Sequence, residues 1–420
     1  MIEEKIGIKA YITSERGIGG KIKESPEYFR VEEIAEIKLN SGYYLILKVE
    51  KKNWDTLNFI RILSNVLGIS RKRIGFAGTK DKRSVSIQYF SISKPDEKMI
   101  EKLKKIKLKD AKIEIVGFSP KRIDLGDLIG NKFQILVKDI TRDGEAIEKI
   151  REELEEKGIP NFFGKQRFGT LRYITHEVGK QIVLKNYEEA FWIYVAKPVE
   201  TENEEIGKIR EDLWNEREPV IGLREFPKHL IYERTLLQKL REGKSELEAL
   251  LSLPKSLKMM FVHAYQSYIF NLLLSERIIE FKTLKKIDLN DFVDFKTVRG
   301  HVIPAEEISV VSSFNRRRVE FLLSNGYAFL ALPLPGYETK LVGWCGEKLK
   351  DLLEAEGVKL EDFKGEYPEF TSKGGFRVAD IPFDFKNLRY EVRNRDAEFE
   401  FFLPKGCFAT TFLREFLKEE

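Results

Sequence analysis

The segment Gly75-Phe76-Ala77-Gly78-Thr79-Lys80-Asp81-Lys82-Arg83 is the most informative stretch of the chain. Its two glycines permit backbone conformations with positive φ and the close approach of a ligand. Three cationic side chains surround one carboxylate, Asp81, and nearby opposite charges favour its ionised form. An ionised carboxylate held in place can serve as a nucleophile or a base. The composition also suits a surface turn in which Asp81 only caps its own backbone.

Nucleotide binding is the other chemistry that this segment suggests. Its Gly-x-x-Gly-Thr-Lys pattern is similar to a phosphate-binding loop, but that loop has four residues between its glycines and a lysine directly after the second glycine. The spacing therefore excludes a nucleotide-binding loop.

Strand and helix patterns alternate on both sides of the segment. Two strands over 28–50, with a turn at Asn40-Ser41-Gly42, predict a β-hairpin, and 56–67 predicts a helix that ends at Gly68. Further strands are predicted after the segment from Val85, near 113–118, 133–137, 389–392 and 398–403, and further helices near 147–154, 257–279 and 411–417. Residues 97–105 form a lysine-rich amphipathic segment. This order predicts an α+β fold, in which a sheet interrupted by a central insertion resumes at the C-terminus.

Composition sets limits on the class of protein. The 420 residues are 42% hydrophobic and 34% charged, so two globular domains are expected. A net charge of +5 permits RNA binding, but only through local basic clusters. Cys345 and Cys407 have no neighbouring ligand at metal-binding spacing, so neither a disulfide framework nor a metal site is expected. No signal peptide and no apolar run of about 18 residues is present, which favours a cytoplasmic protein that is not bound to membrane.

A second segment, 161–170, interleaves aromatic, cationic and amide side chains. Aromatic rings can stack on an extruded base, while arginine and glutamine bond its edge or the phosphates. Most phenylalanine side chains are buried, so two of the three rings of Phe162, Phe163 and Phe168 are predicted to lie in the core, and the third is a candidate for stacking. A third segment, 21–33, places Lys23 just before Pro26, where it could meet a phosphate or a carboxylate, or only belong to a solvated hairpin.

Taken together, the three segments resemble the TruD family of tRNA pseudouridine synthases, in its archaeal form. Residues 75–88 are similar to the family's catalytic motif, 161–169 to its Asn-aromatic-Phe-Gly-x-Gln-Arg-Phe-Gly motif, and 23–31 to its Lys-x-x-Pro-Glu-x-Phe motif. Weaker similarities extend over nearly the whole chain, at 121–133, 266–277, 334–336 and 403–414. One departure is Tyr28, where the family usually has an acidic residue.

The resemblance implies a pseudouridine synthase core with a mixed, largely antiparallel sheet, formed by 1–182 and 365–420, and an α/β insertion domain over 183–364. It also implies Asp81 as the catalytic residue, Lys23 as its charge partner and Phe163 as the ring that stacks on the base. Phe162 and Phe168 are then the two rings assigned to packing in the core. Substrate-binding positions carried over in the same way are Phe29, Lys80, Gln88, Asn161, Gln166 and Arg167. No cofactor and no metal are implied, because the isomerisation needs neither a redox partner nor a group donor.

The implied activity is the isomerisation of a uridine to pseudouridine, with position 13 of tRNA as the family's usual target. Basic clusters at 71–73 and 316–318 could grip such an RNA, and a monomer is favoured. Two alternatives remain: an RNA-binding protein without turnover, and a metal-dependent phosphodiester hydrolase. The hydrolase lacks a second carboxylate within the motif to complete a metal site.

Overall fold

A computed structural model describes residues 2–418 of the chain. The contacts divide the chain into two compact units, each assembled from three stretches. The sheet unit comprises Thr13–Ile159, Phe295–Glu306 and Ile381–Glu420, and the helical unit comprises Met1–Ile12, Pro160–Asp294 and Glu307–Asp380.

The secondary-structure elements are numbered in chain order. The strands are β1 (Phe29–Ala35), β2 (Tyr44–Lys52), β3 (Ile74–Phe76), β4 (Val85–Ser93), β5 (Ala111–Ser119), β6 (Leu128–Val137), β7 (Phe292–Val298), β8 (Val302–Pro304), β9 (Ser309–Val310), β10 (Ala328–Leu334), β11 (Gly375–Val378), β12 (Arg389–Arg393) and β13 (Asp396–Pro404). The helices are α1 (Ile2–Lys5), α2 (Thr56–Leu67), α3 (Glu97–Lys105), α4 (Gly144–Lys157), α5 (Thr175–Val183), α6 (Tyr187–Ala196), α7 (Glu204–Glu216), α8 (Pro219–Glu225), α9 (Ile231–Arg241), α10 (Glu246–Leu251), α11 (Lys255–Phe281), α12 (Arg316–Ser324), α13 (Gly343–Ala355) and α14 (Ala409–Leu417).

One large sheet forms the frame of the sheet unit. Its strand order is β12-β13-β6-β1-β4-β2-β5, with β3 paired to β4 outside this path. Strands β1 and β4 run parallel, and the other pairs of this sheet are antiparallel. The C-terminal strands β12 and β13 extend the sheet that the N-terminal half begins, which confirms that this sheet resumes at the C-terminus.

The predicted hairpin over 28–50 is wrong, although both of its strands exist. Strands β1 and β2 do not pair with each other, because β4 lies between them and bonds to both. The connection over 36–43 is longer than a tight turn needs, which lets β2 reach the far side of β4. Strand β4 is largely buried along its length, as a central position in a sheet requires.

Helix α2 covers one face of this sheet and begins and ends where the sequence predicts. The Asp55 side chain accepts a hydrogen bond from the backbone N–H of Asn58 at 2.8 Å and so caps its N-terminus, while Gly68 ends it with φ 71°. Its buried Phe59 packs against Phe90 of β4, with 5.4 Å between the ring centroids. Thr56, the first residue of α2, is thereby held over β4.

The helical unit is built around the long helix α11, which confirms the helix predicted over 257–279. Helices α5 and α6 contribute to the same buried core, and strands β10 and β11 form an antiparallel pair. Residues 160–182 belong to this unit, although the sequence placed them with 1–182. The domain division at 183 and 364 stays a prediction, because units defined by contacts need not coincide with the domains of a family. No helix within 2–418 is long and apolar enough to cross a membrane.

The cap of α2 should contribute measurably to stability. Asp55→Ala removes the acceptor for the Asn58 N–H and should lower the free energy of unfolding by about 0.5–2 kcal/mol, measured by urea denaturation. Leu57→Ala, an exposed position in the same helical turn, is the control and should change it by less than about 0.5 kcal/mol. Equal effects of the two substitutions would contradict the capping role.

Candidate active site

The segment 75–83 begins within β3, and its loop leads on to β4 and is bonded to the rest of the sheet unit. The backbone N–H of Gly126 donates to the Ala77 carbonyl at 2.8 Å. The Ser84 hydroxyl donates to the Asp81 carbonyl at 2.7 Å. Backbone groups on both sides of the loop are therefore fixed, which restricts the position of the Asp81 side chain.

Gln88 of β4 supports the same loop from beneath. Its side chain is fully buried, and its Nε2 donates to the carbonyl oxygen of Gly78. The Thr56 hydroxyl donates to Gln88 Oε1 at 3.1 Å and accepts from the Lys80 backbone N–H at 2.9 Å. Both ends of the Gln88 amide are thus used within the protein, and this geometry supports a positioning role rather than a contact with substrate.

Asp81 makes a short ion pair at the surface of the loop. Its Oδ2 lies 2.6 Å from Nζ of Lys23, and the Asp81 side chain remains 32% exposed. Lys23 has a φ of 60°, and its Nζ also lies 4.4 Å from the ring centroid of Phe29. Phe29 is buried and packs edge-on against Phe133 at 6.0 Å. The predicted residues Lys23, Phe29 and Asp81 therefore form one cluster, in which the Phe29 ring packs against the Lys23 side chain.

The side chain of Lys80 points into the protein, unlike the partly exposed side chain of its neighbour Asp81. Its Nζ lies 2.7 Å from Oε2 of Glu33 on β1, and both side chains are buried. The other carboxylate oxygen of Glu33 accepts from the Tyr89 backbone N–H at 3.3 Å. Breaking a buried ion pair by removing one partner is costly, so this geometry supports Lys80 as an anchor of the loop.

Lys51 is a residue near the site that the sequence reasoning missed. It extends the inward-facing series Leu47 and Val49 of β2, and this alternation is the signal that could have found it. Its buried Nζ donates to the Ser86 hydroxyl at 2.7 Å and to the Trp54 carbonyl at 3.2 Å.

The charge of Lys51 is held in an unfavourable environment. Burial, and after it the charge of Lys80, lowers the pKa of Lys51 to about 8. The carboxylates of Asp55, Glu33 and Asp81 act in the opposite direction. The charge of Asp81 thus favours the protonated form of Lys51.

The helical unit contains the second cluster of predicted residues, centred on Phe163. The Phe163 ring is 9% exposed, meets Phe270 edge-on at 5.5 Å and has the Arg377 guanidinium 4.0 Å from its centroid. Its backbone N–H donates to Oδ1 of Asn271 at 2.8 Å. Phe163 is thus more enclosed by protein side chains than a ring that is fully open to a substrate base would be. Arg377 and Asn271, which hold it in position, were not predicted from the sequence.

Asn161 holds the arginine that covers this ring. Its Oδ1 accepts from Arg377 at 2.7 Å, and its Nδ2 donates to the Val378 carbonyl at 2.9 Å. Asn161 is itself buried. It therefore acts on Phe163 through Arg377.

The remaining residues of the motif are divided between surface and core. Gln166 is exposed, whereas Arg167 is half-buried, donates from Nε to the Ser267 hydroxyl at 3.0 Å and has its pKa lowered by burial. Phe162 and Phe168 are buried, as predicted. Among residues 2–418, no group of three or more histidine, cysteine, aspartate or glutamate side chains is arranged to hold a metal ion.

Comparisons with known proteins agree with the motifs. The family described as TruD, tRNA pseudouridine synthase D, matches residues 5–416. A relative from Archaeoglobus fulgidus, described as a probable tRNA pseudouridine synthase D, is 58% identical over 423 residues and covers 100% of both chains. The chain belongs to the TruD family. Pseudouridine synthases are isomerases, and the general reaction of the family converts uridine to pseudouridine.

Two further TruD comparisons support this assignment. A relative from Methanosarcina acetivorans with the same description is 39% identical, with 99% of this chain and 97% of that one covered. A solved crystal structure from Methanosarcina mazei, named for tRNA pseudouridine synthase D, has a TM-score of 0.81 and 38% identity, and covers 99% of this chain and 98% of that one. The structural match confirms the predicted α+β fold.

The lowered pKa of Lys51 predicts a distinct pH dependence of stability. Between a folded pKa of about 8 and the ordinary 10.5, the unfolded chain holds a proton that the folded chain has released, so the Lys51 contribution to stability rises with pH. Lys51→Met lacks this contribution. The free energy of unfolding of both proteins is measured with urea at pH of about 7.5 and about 9.5. Between these two pH values, the stability of wild type relative to Lys51→Met should increase by about 1–2 kcal/mol.

Lys112→Met on β5 is the matched control, because Lys112 is exposed. Its free energy of unfolding should differ from that of wild type by the same amount at both pH values. If the difference between Lys51→Met and wild type also stayed constant, burial would not lower the pKa of Lys51.

Proposed function

We propose that this chain converts a uridine of tRNA, at position 13, to pseudouridine, with Asp81 as the catalytic residue. The observation that carries the proposal is the Lys23–Asp81 ion pair of 2.6 Å on a loop whose backbone is bonded on both sides of the aspartate. A carboxylate that is partly exposed, paired and fixed is suited to act on a nucleotide brought to it. The proposed setting is the cytoplasm, where tRNA is modified, and the proposed form is a monomer.

The chemistry requires one carboxylate and no redox step. The bond between ribose C1′ and uracil N1 breaks, a bond between C1′ and uracil C5 forms, the C5 proton leaves to solvent, and N1 gains a proton. Asp81 either attacks the nucleotide covalently or removes a ribose proton to give a glycal intermediate. The ion pair with Lys23 supports both routes, because each begins from an ionised Asp81.

Phe163 is proposed to hold the base by stacking while the base turns. Its ring is kept in one orientation by Phe270 at its edge and by Arg377 above it. A cation close to an aromatic ring adds an attraction that favours a fixed ring position. We therefore assign Asn161 and Arg377 to positioning Phe163, and the exposed Gln166 with Arg167 to contact with the RNA.

Release of tritium tests the proposed activity. The chain is incubated without added metal with tRNA transcript that carries tritium at uracil C5, and release to solvent is measured. Release at a single tRNA position, located by mapping pseudouridine, is the expected result. Tight tRNA binding without release would support the alternative of an RNA-binding protein without turnover.

Asp81→Asn should retain tRNA binding and lose isomerisation, because the amide is nearly the same size but is neither nucleophilic nor basic. Single-turnover tritium release and filter binding measure the two properties separately. Lys112→Gln serves as the control for a change of surface charge and should keep both. Turnover of Asp81→Asn within about tenfold of wild type, a loss of only about 1.4 kcal/mol in barrier, would remove Asp81 as the catalyst.

Phe163→Leu should slow turnover more than it lowers stability. The change keeps most of the buried volume, at a cost of about 1–2 kcal/mol in stability, but removes the aromatic face, whose stacking on one base is worth about 1–3 kcal/mol. A roughly 5- to 150-fold slower single turnover with tRNA bound is therefore expected.

Phe168→Leu is the matched comparison for Phe163→Leu, because Phe168 is fully buried in the same motif. It should melt at a lower temperature than wild type and turn over normally once saturated with tRNA. If instead Phe168→Leu were the slower enzyme and Phe163→Leu turned over normally, the two rings would have been assigned the wrong way round.

A further inference from the structure

Two phenylalanine side chains at helix α12 of the helical unit are exposed to solvent. Phe314 is 99% exposed and Phe321 is 65% exposed. Phenylalanine is usually buried, because exposing its ring forfeits the stabilisation that burial gives. Two such rings on one short segment therefore suggest a surface that another molecule covers.

The two rings share a helix face with two arginines. The backbone N–H of Arg316 donates to the Ser312 carbonyl at 3.0 Å, so the helical turn already begins before α12 itself. Residues spaced by three, four and seven positions lie on one face of a helix. Phe314, Arg317, Arg318 and Phe321 have this spacing, and we call this set the aromatic–arginine stripe.

The inward face of α12 is formed by other residues. Val319 and Leu323 are buried and fix the helix on its unit. All four residues of the stripe are exposed. The stripe is therefore presented outward by a helix that is anchored on its opposite side.

The arginines of the stripe are available for a ligand. Arg316, which precedes them, is paired with Glu320 at 2.8 Å. Arg317 and Arg318 have no ion-pair partner among residues 2–418. The stripe thus carries two uncompensated positive charges between two aromatic rings.

We propose that the aromatic–arginine stripe binds unpaired nucleotides of the substrate RNA, with its arginines on phosphates and its phenylalanines stacked on bases. Each nucleotide of RNA carries one negative phosphate and one flat, apolar base. These two groups complement the arginines and the aromatic rings of the stripe. A second copy of this chain fits poorly, because a two-fold contact would place the uncompensated arginines of both copies against each other. This inference rests on the proposed action on tRNA.

The two parts of the stripe predict different salt dependences of RNA binding. Arg317→Gln/Arg318→Gln should weaken tRNA binding and reduce the slope of log K against log salt concentration by about 1.4, because two phosphate contacts on unpaired nucleotides are lost. Phe314→Ala/Phe321→Ala should weaken binding roughly tenfold or more and leave the slope unchanged, because stacking releases no counterions. Filter binding across a salt series measures both quantities.

The matched control is Tyr232→Ala/Arg241→Gln on α9, which removes one exposed ring and one exposed charge from the same unit. Its tRNA affinity and slope should equal those of wild type. Melting temperatures of all variants should match wild type, since every substituted side chain is exposed. The single-turnover rate of this control variant should also equal that of wild type.

Specific outcomes would overturn the inference. Wild-type affinity and slope in both stripe variants would exclude an RNA contact. A wild-type dimer in sedimentation that Phe314→Ala/Phe321→Ala converts to monomer would assign the stripe to a second copy. Failure of the proposed function would give a different result. Wild type would then release no tritium, while the stripe variants would still weaken tRNA binding.

Discussion

The position of β4 between β1 and β2 is the constraint on which the candidate active site depends. Strand β4 supplies Gln88 beneath the loop and Ser86 for the buried Lys51 of β2. Its other neighbour, β1, supplies Glu33 for Lys80. Because each strand contributes a polar side chain to the same small volume, a change in strand pairing would remove the supports of Asp81 together.

Local elements were predictable from the sequence, whereas strand pairing was not. Helix α2 follows from its apolar spacing, the Asp55 cap and Gly68, all of which act within a few residues. The pairing of β1 with β4 and β6 depends on contacts between residues far apart in the chain, which a pattern of alternation in 28–50 does not contain. The hairpin prediction was wrong because it assumed that two strands consecutive in the chain also pair in the sheet.

The candidate site was predictable to a similar extent. Motif resemblance placed Lys23 beside Asp81, and their side chains do meet. It also grouped Lys80 and Gln88 with substrate contacts, while the structure gives both side chains partners inside the protein. A motif records that a residue type recurs at a position, but whether its side chain faces a ligand or the core depends on tertiary packing.

The assembly of the sheet unit from three separate stretches constrains when this enzyme can form. Strand β6 is flanked by β1 on one side and by the C-terminal β13 on the other. During synthesis, β6 therefore keeps an unpaired edge until nearly the whole chain has left the ribosome. Exposed edges favour association with other chains, and pairing across such sequence distances is slow. Truncation near the C-terminus would thus remove β13 from the sheet and leave the edge of β6 open to aggregation, rather than merely shortening a tail.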